Sequence, residues 1–122
     1  MDTLTQAEAD ARAFFQDYRD ALLARDVGRI AGSYHSPALI AFPGRVLAVT
    51  DPSQTREFFQ SGVGRYDGVE EATPSIEVMG ATEQSIWADV TWDYKGGAPV
   101  ERVVYQLLQT PDGWRIGVLT PR

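Results

Sequence analysis

The hydrophobic period of this chain changes from helical to strand-like near residue 38, and that change constrains the architecture more than any other feature. Ahead of it, Ala7, Ala11, Phe14, Phe15, Tyr18, Ala21 and Leu22 recur at spacings of three and four, one apolar face of an amphipathic helix. Thr5 and Glu8 have the spacing of a capping box for its start. A short second helix is expected over Val27 to Ser33, capped by the Asp26 carboxylate and weakened by Gly28 and Gly32.

Beyond the change, apolar and β-branched residues come in short runs. Residues 38–42 and 45–49 read as two strands joined at Pro43-Gly44, a hairpin. One more helix follows, with Asp51 at the N-cap, Pro52 at the first position and Gln54 at the third, running to about Ser61 and stopping at Gly62. Residues 62–71 hold Gly62, Gly64, Gly68 and the pair Glu70-Glu71, which reads as a flexible loop and a candidate lid. Four strands are then expected at about 73–81, 85–94, 99–109 and 114–120. Their connections, Thr82-Glu83-Gln84, Lys95-Gly96-Gly97 and Thr110-Pro111-Asp112-Gly113, have hairpin length, so the strands should form an antiparallel meander. Helices first and strands after is the α+β order, not alternating βαβ.

Composition limits the chemistry. With 122 residues, 43% of them hydrophobic, the chain reads as one domain spanning 1–122 with room for a core and one internal cavity. It has no cysteine, which excludes disulfides, thiolate catalysis and cysteine-ligated metals. His35 is the only histidine, so a two-histidine metal site within the chain is excluded, and neither metal nor cofactor is expected. The net charge of −6 disfavours nucleic acid as a partner. The N-terminal residues lack the basic start and apolar run of a signal peptide, and no stretch is apolar enough to span a membrane, so the chain reads as cytoplasmic. Gly62-Val63-Gly64 follows a helix and is not a dinucleotide loop, and no Walker, HExxH or GxSxG motif occurs.

Three segments carry a resemblance to a known family. Phe15-Gln16-Asp17-Tyr18-Arg19-Asp20-Ala21-Leu22 with Asp26 and Ile30 to Tyr34, then Arg56-Glu57-Phe58-Phe59, then Trp92-Asp93-Tyr94-Lys95-Gly96 are similar in spacing to ketosteroid isomerases. The chain thus resembles the NTF2-like superfamily, which also holds SnoaL-type polyketide cyclases, and the resemblance runs over nearly all of it. It implies a cone: N-terminal helices packed in a curved antiparallel sheet around an apolar pocket. It also selects the inner face of the second meander strand, with Ile86, Ala88, Val90 and Trp92 inward and Trp87, Asp89, Thr91 and Asp93 outward. The outer face is then expected to meet a second copy, as family members dimerise.

The same resemblance assigns candidate roles. Tyr18 falls at the tyrosine that donates to the developing oxyanion in the isomerases, Tyr105 at their second, acidic donor, and Phe59 at a supporting tyrosine. The general-base aspartate falls at Phe42, which cannot accept a proton, so isomerisation by the family route is not expected. His35 is the residue whose ordinary pKa suits acid–base work, with a helix-end role as its rival. Catalytic candidates are therefore Tyr18, His35 and Tyr105. A pocket would be lined by Phe14 and Tyr18 of the first helix, by Tyr34, Phe42 and Phe58, and by Val90, Trp92, Glu101, Val103, Tyr105 and Val118 of the strands. Glu101 shares the face of Val103, Tyr105 and Leu107, which makes it a base in the pocket or, at a strand end, an acid facing water or paired with Arg102. Asp89 and Arg102 would enter the pocket only if the register shifted by one. The expected function is binding of a small hydrophobic molecule, with or without cofactor-free isomerase, cyclase or dehydratase chemistry. The rival is a non-catalytic dimerisation or interaction domain whose cone is filled by side chains.

Overall fold

A computed structural model describes residues 2–96 and 99–122. Three helices, α1 (Thr3–Ala24), α2 (Val27–Gly32) and α3 (Pro52–Gly62), surround a first hairpin of β1 (Tyr34–Phe42) and β2 (Arg45–Val49). A short 3-10 turn, Val63–Tyr66, leads into β3 (Glu71–Ala81), β4 (Ser85–Lys95), β5 (Glu101–Thr110) and β6 (Gly113–Pro121).

The caps explain the helix boundaries. Asp2, not Thr5, starts α1: its Oδ1 accepts the Thr5 N–H at 2.7 Å. The expected Thr5–Glu8 capping box does not form, because a charged acceptor three residues upstream takes the same donor and adds a favourable interaction with the helix dipole. α1 ends where Arg25 turns left-handed at φ 51° and its N–H returns to the Ala21 and Leu22 carbonyls. Asp26 then caps α2 by accepting from the Arg29 N–H at 3.1 Å, as the sequence indicated. Asp51 accepts the Ser53 N–H at the start of α3, and Gln54 Oε1 reaches back to the Thr50 N–H at 2.6 Å.

The six strands form one sheet in the order β2-β1-β6-β5-β4-β3. Every pairing is antiparallel except β1–β6, which is parallel. An antiparallel sheet throughout was expected; the local hairpin and the meander each alternate direction, but they join at strands far apart in sequence that run the same way. Gly44, at φ 78°, makes the β1–β2 turn. In the expected Lys95-Gly96-Gly97 turn, Gly97 lies outside the described residues. The expected flexible loop over residues 62–71 is also revised. Its first part continues α3 as the 3-10 turn, and Val69 is buried. Arg25 holds the segment, with its guanidinium donating to the Tyr66 carbonyl and pairing with Asp67 at 3.4 Å.

The core lies on the concave side. Ile86, Ala88, Val90 and Trp92 of β4 are almost wholly buried, whereas Trp87 and Asp93 on the alternate positions face out. Each large side chain so buried contributes about 1.5–3 kcal/mol. Phe15 of α1 supplies the other wall, with its ring 4.9 Å from that of Tyr105 and 6.3 Å from that of Trp92. No described helix is long and apolar enough to cross a membrane.

Candidate functional site

Where α1, α3 and the ends of β4, β5 and β6 converge, packing leaves a cavity of about 300 Å³. Such volumes lie at the small end of ligand pockets. Its inner end is made by the buried side chains of Tyr18, Trp92 and Tyr105. Half-buried Phe42, Phe58, Tyr94 and Glu101 line it further out, and exposed Arg45 and Ser61 stand at its rim.

Strand parity explains this set. Glu101, Val103 and Tyr105 alternate onto the concave face of β5, and Trp92 and Tyr94 onto that of β4, where Trp92 stands opposite Glu101. Seven expected lining residues are brought together this way: Tyr18, Phe42, Phe58, Trp92, Glu101, Val103 and Tyr105. Four others are not. Phe14 is displaced along α1 and stacks on Tyr18 with ring centroids 6.2 Å apart, while Tyr34 sits behind Tyr18, buried against Phe59. Val90 is fully buried beneath the cavity wall. Val118 faces the convex side, because a bulge between Gln106 and Leu107 in the β5–β6 pairing skips Gly117 and inverts the alternation of β6. Leu119 and Pro121 line the cavity instead.

His35 lies outside the cavity, with its Nδ1 2.8 Å from the Pro37 carbonyl oxygen. It follows directly on inward-facing Tyr34, so strand alternation turns it away. The site thus omits one of the three catalytic candidates. It adds Tyr66 and Tyr94. Tyr94 was visible as the next inward position after Trp92; Tyr66 had no signal, since its placement depends on the 3-10 turn.

Hydrogen bonds fix the tyrosines. The hydroxyls of Tyr18 and Tyr34 are 2.8 Å apart, and the Trp92 indole N–H donates to the Tyr105 oxygen at 3.1 Å. Further out, the Tyr94 hydroxyl donates to Glu101 Oε1 at 2.8 Å. Burial pushes the Tyr18 and Tyr105 phenols well above their ordinary pKa, and each is pushed further by the other phenols around it. Burial likewise raises Tyr94, helped by Tyr66 and the Glu101 charge. All three therefore stay protonated, as donors and not as bases. Among the described residues no cluster of three or more His, Cys, Asp or Glu is placed to hold a metal ion.

Solved structures share this architecture at low identity. An NTF2-like protein of unknown function from Shewanella oneidensis superposes with a TM-score of 0.78 at 13% identity, over 93% of this chain and 97% of the other. A protein provisionally assigned as a ketosteroid isomerase, from Shewanella frigidimarina, gives 0.76 at 14% identity, over 95% and 97%. One provisionally assigned as a dehydratase of the NTF2-like family, from Streptomyces avermitilis, gives 0.68 at 13%, over 96% and 95%. At such identities the likeness establishes the fold and not the activity. No curated protein matches the sequence. The profile of the family described as NTF2-like protein (DUF6841) matches residues 7–122, and the chain belongs to that NTF2-like family.

Proposed function

We propose that the cavity binds a small, largely apolar molecule that presents a carbonyl or hydroxyl oxygen to its inner end. The observation that carries this reading is the Trp92–Tyr105 hydrogen bond. The indole supplies the proton of that bond, so the Tyr105 hydroxyl has its own proton to give to another acceptor, and Tyr105 lines the cavity. A neutral phenol in an apolar enclosure is a strong, preorganised donor. With Phe42 at the position of the isomerase base, the reading is one of binding, and any acid–base chemistry needs another group. The test is a tryptophan-fluorescence titration with 2-acetonaphthone and with 2-ethylnaphthalene, which lacks the oxygen. The ketone is expected to bind about tenfold tighter, the value of one net hydrogen bond, and Tyr105→Phe to remove that preference. Equal binding of the two probes would reject the role of Tyr105. Unaltered binding in Val103→Trp, which fills the cavity, would reject the cavity itself.

The convex face of the sheet supports a second part of the proposal, pairing with another copy of the chain. Trp87 and Met79 are exposed there at 38% and 53%. Asp89 on the same face is held by Arg122 through Oδ2 at 3.0 Å, while its buried Oδ1 has no partner among the described residues. Light scattering should give a dimer mass, reduced by Trp87→Glu; a monomer mass at every concentration would refute the pairing.

A further inference from the structure

Among the described residues that line the cavity there is one cation, Arg45 at the rim. Its place follows from the hairpin. Arg45 is the cross-strand partner of Phe42, and directly opposed residues share a face of the sheet, so both reach the cavity. Phe42 packs on Phe58 with ring centroids 5.6 Å apart, and the Arg45 guanidinium lies over Phe58, 5.8 Å from the ring centroid. The negative face of the ring attracts the cation and holds it there. A guanidinium held through its contact with a ring keeps in-plane N–H groups for an acceptor. Elsewhere, Arg19, Arg25 and Arg122 each pair with an aspartate. The Arg45 side chain, by contrast, makes neither an ion pair nor a hydrogen bond with the described residues.

We propose that Arg45 takes the carboxylate of an acidic ligand at the mouth of the cavity. The ligand class is then a small ring compound with a carbonyl or hydroxyl oxygen at one end and a carboxylate at the other. This rests on the reading of the cavity as a small-molecule site and narrows it. The planar fork of a guanidinium matches a planar carboxylate through two parallel hydrogen bonds. A phosphate would bring a second negative charge to a cavity whose described lining has one cation and already holds the Glu101 carboxylate. Glu101 accepts from the Tyr94 hydroxyl and forms no ion pair with Arg45. The net charge of −6 opposes an anion at long range, so the preference has to come from the local contact. Phe58 acts as a positioning residue that holds the guanidinium before the ligand arrives, which lowers the ordering cost of binding.

The test is titration of the protein, at neutral pH and low salt, with 6-acetyl-2-naphthoic acid, with its primary amide, which is uncharged and of nearly the same shape, and with 2-acetonaphthone. The acid is expected to bind about tenfold tighter than the amide, the value of a charge-assisted contact at an exposed rim. Arg45→Gln should abolish that preference, and Phe58→Leu should reduce it. Arg45 is exposed, so its replacement leaves the core intact. An acid affinity no greater than that of the amide, a preference that survives Arg45→Gln, or binding of 2-acetonaphthone alone would overturn the carboxylate site and leave the apolar cavity standing. An undiminished preference in Phe58→Leu would overturn the positioning role of that ring. Binding of none of the three probes would remove the cavity reading and the carboxylate site together.

Discussion

Removing the hydroxyl of Tyr18 should destabilise the protein more than removing that of Tyr34, although the two share one hydrogen bond of 2.8 Å. The asymmetry comes from what each deletion leaves behind. Both rings are buried, but in Tyr18→Phe the remaining hydroxyl belongs to Tyr34, which does not line the cavity, so it loses its partner with no water to replace it. Leaving a buried polar group unpaired costs about 1–3 kcal/mol. In Tyr34→Phe the remaining hydroxyl belongs to Tyr18, which borders the cavity and can be hydrated there, so the loss is nearer the net value of a hydrogen bond, about 1 kcal/mol or less. The double variant removes both groups and should be less destabilised than Tyr18→Phe alone, an interaction energy of about 1–2 kcal/mol. Ring packing survives in each, since phenylalanine keeps the contacts of Tyr34 with Phe59 and of Tyr18 with Phe14. Urea unfolding is a suitable assay: at a slope of about 2 kcal/mol per M, a loss of 2 kcal/mol moves the midpoint by about 1 M. If Tyr34→Phe proves the more damaging, or if the two losses simply add in the double variant, the argument is refuted.

Three further outcomes follow from other parts of the molecule. A Cβ on Gly96 would lie 2.0 Å from the Gly68 carbonyl oxygen, at φ 113°, so Gly96→Ala should cost about 2 kcal/mol or more in thermal or urea unfolding, and a neutral result would contradict the packing of these two turns. Arg25→Ala should raise amide exchange over residues 64–70 while changing the global midpoint little, because it removes the contacts to Tyr66, Val69 and Asp67 but no core side chain. Ultraviolet titration should show Tyr18, Tyr34, Tyr94 and Tyr105 failing to ionise near their ordinary value of 10. Because their folded-state pKa is raised, the stability they contribute is whole below pH 10 and is lost as pH rises above it, so unfolding should set in on the alkaline side, and reversible formation of more than one tyrosinate per chain at pH 10 in folded protein would refute their burial.

Much of the fold was legible because it is written in local patterns. The α1 stripe, the Asp26 cap and the Pro43-Gly44 turn each need only a few neighbouring residues to decide them, whereas the inward face of β4 was chosen by the family resemblance. What was hidden depends on distant partners or on a single shift of phase. The parallel β1–β6 junction joins segments from opposite ends of the sequence, and no short window contains both. The bulge at Gly117 exchanges Val118 for Leu119 with no change in residue type to signal it. In the candidate site, Tyr18 and Tyr105 were assigned by the family resemblance, which also chose the inward face that carries Trp92, and Glu101 followed as a residue sharing the strand face of Tyr105. His35 was proposed on its ordinary acidity alone, and proximity to neutrality says nothing about which way a side chain points.

The parallel seam also bears on how the chain acquires its structure. Strands β3 to β6 are joined by short turns and can zip together locally, as can the β1–β2 hairpin, but the two units meet only when β1 finds β6 across more than half the sequence. Closing such a loop loses much more chain entropy than closing a hairpin, so docking of β1 on β6 is expected to be the slow step and the rate-limiting nucleus. Leu119 of that seam borders the cavity, and its neighbour across the seam, Ile40, is fully buried. Until the seam forms, the aromatic enclosure is an open trough, and its apolar wall is the surface through which partly folded chains would aggregate.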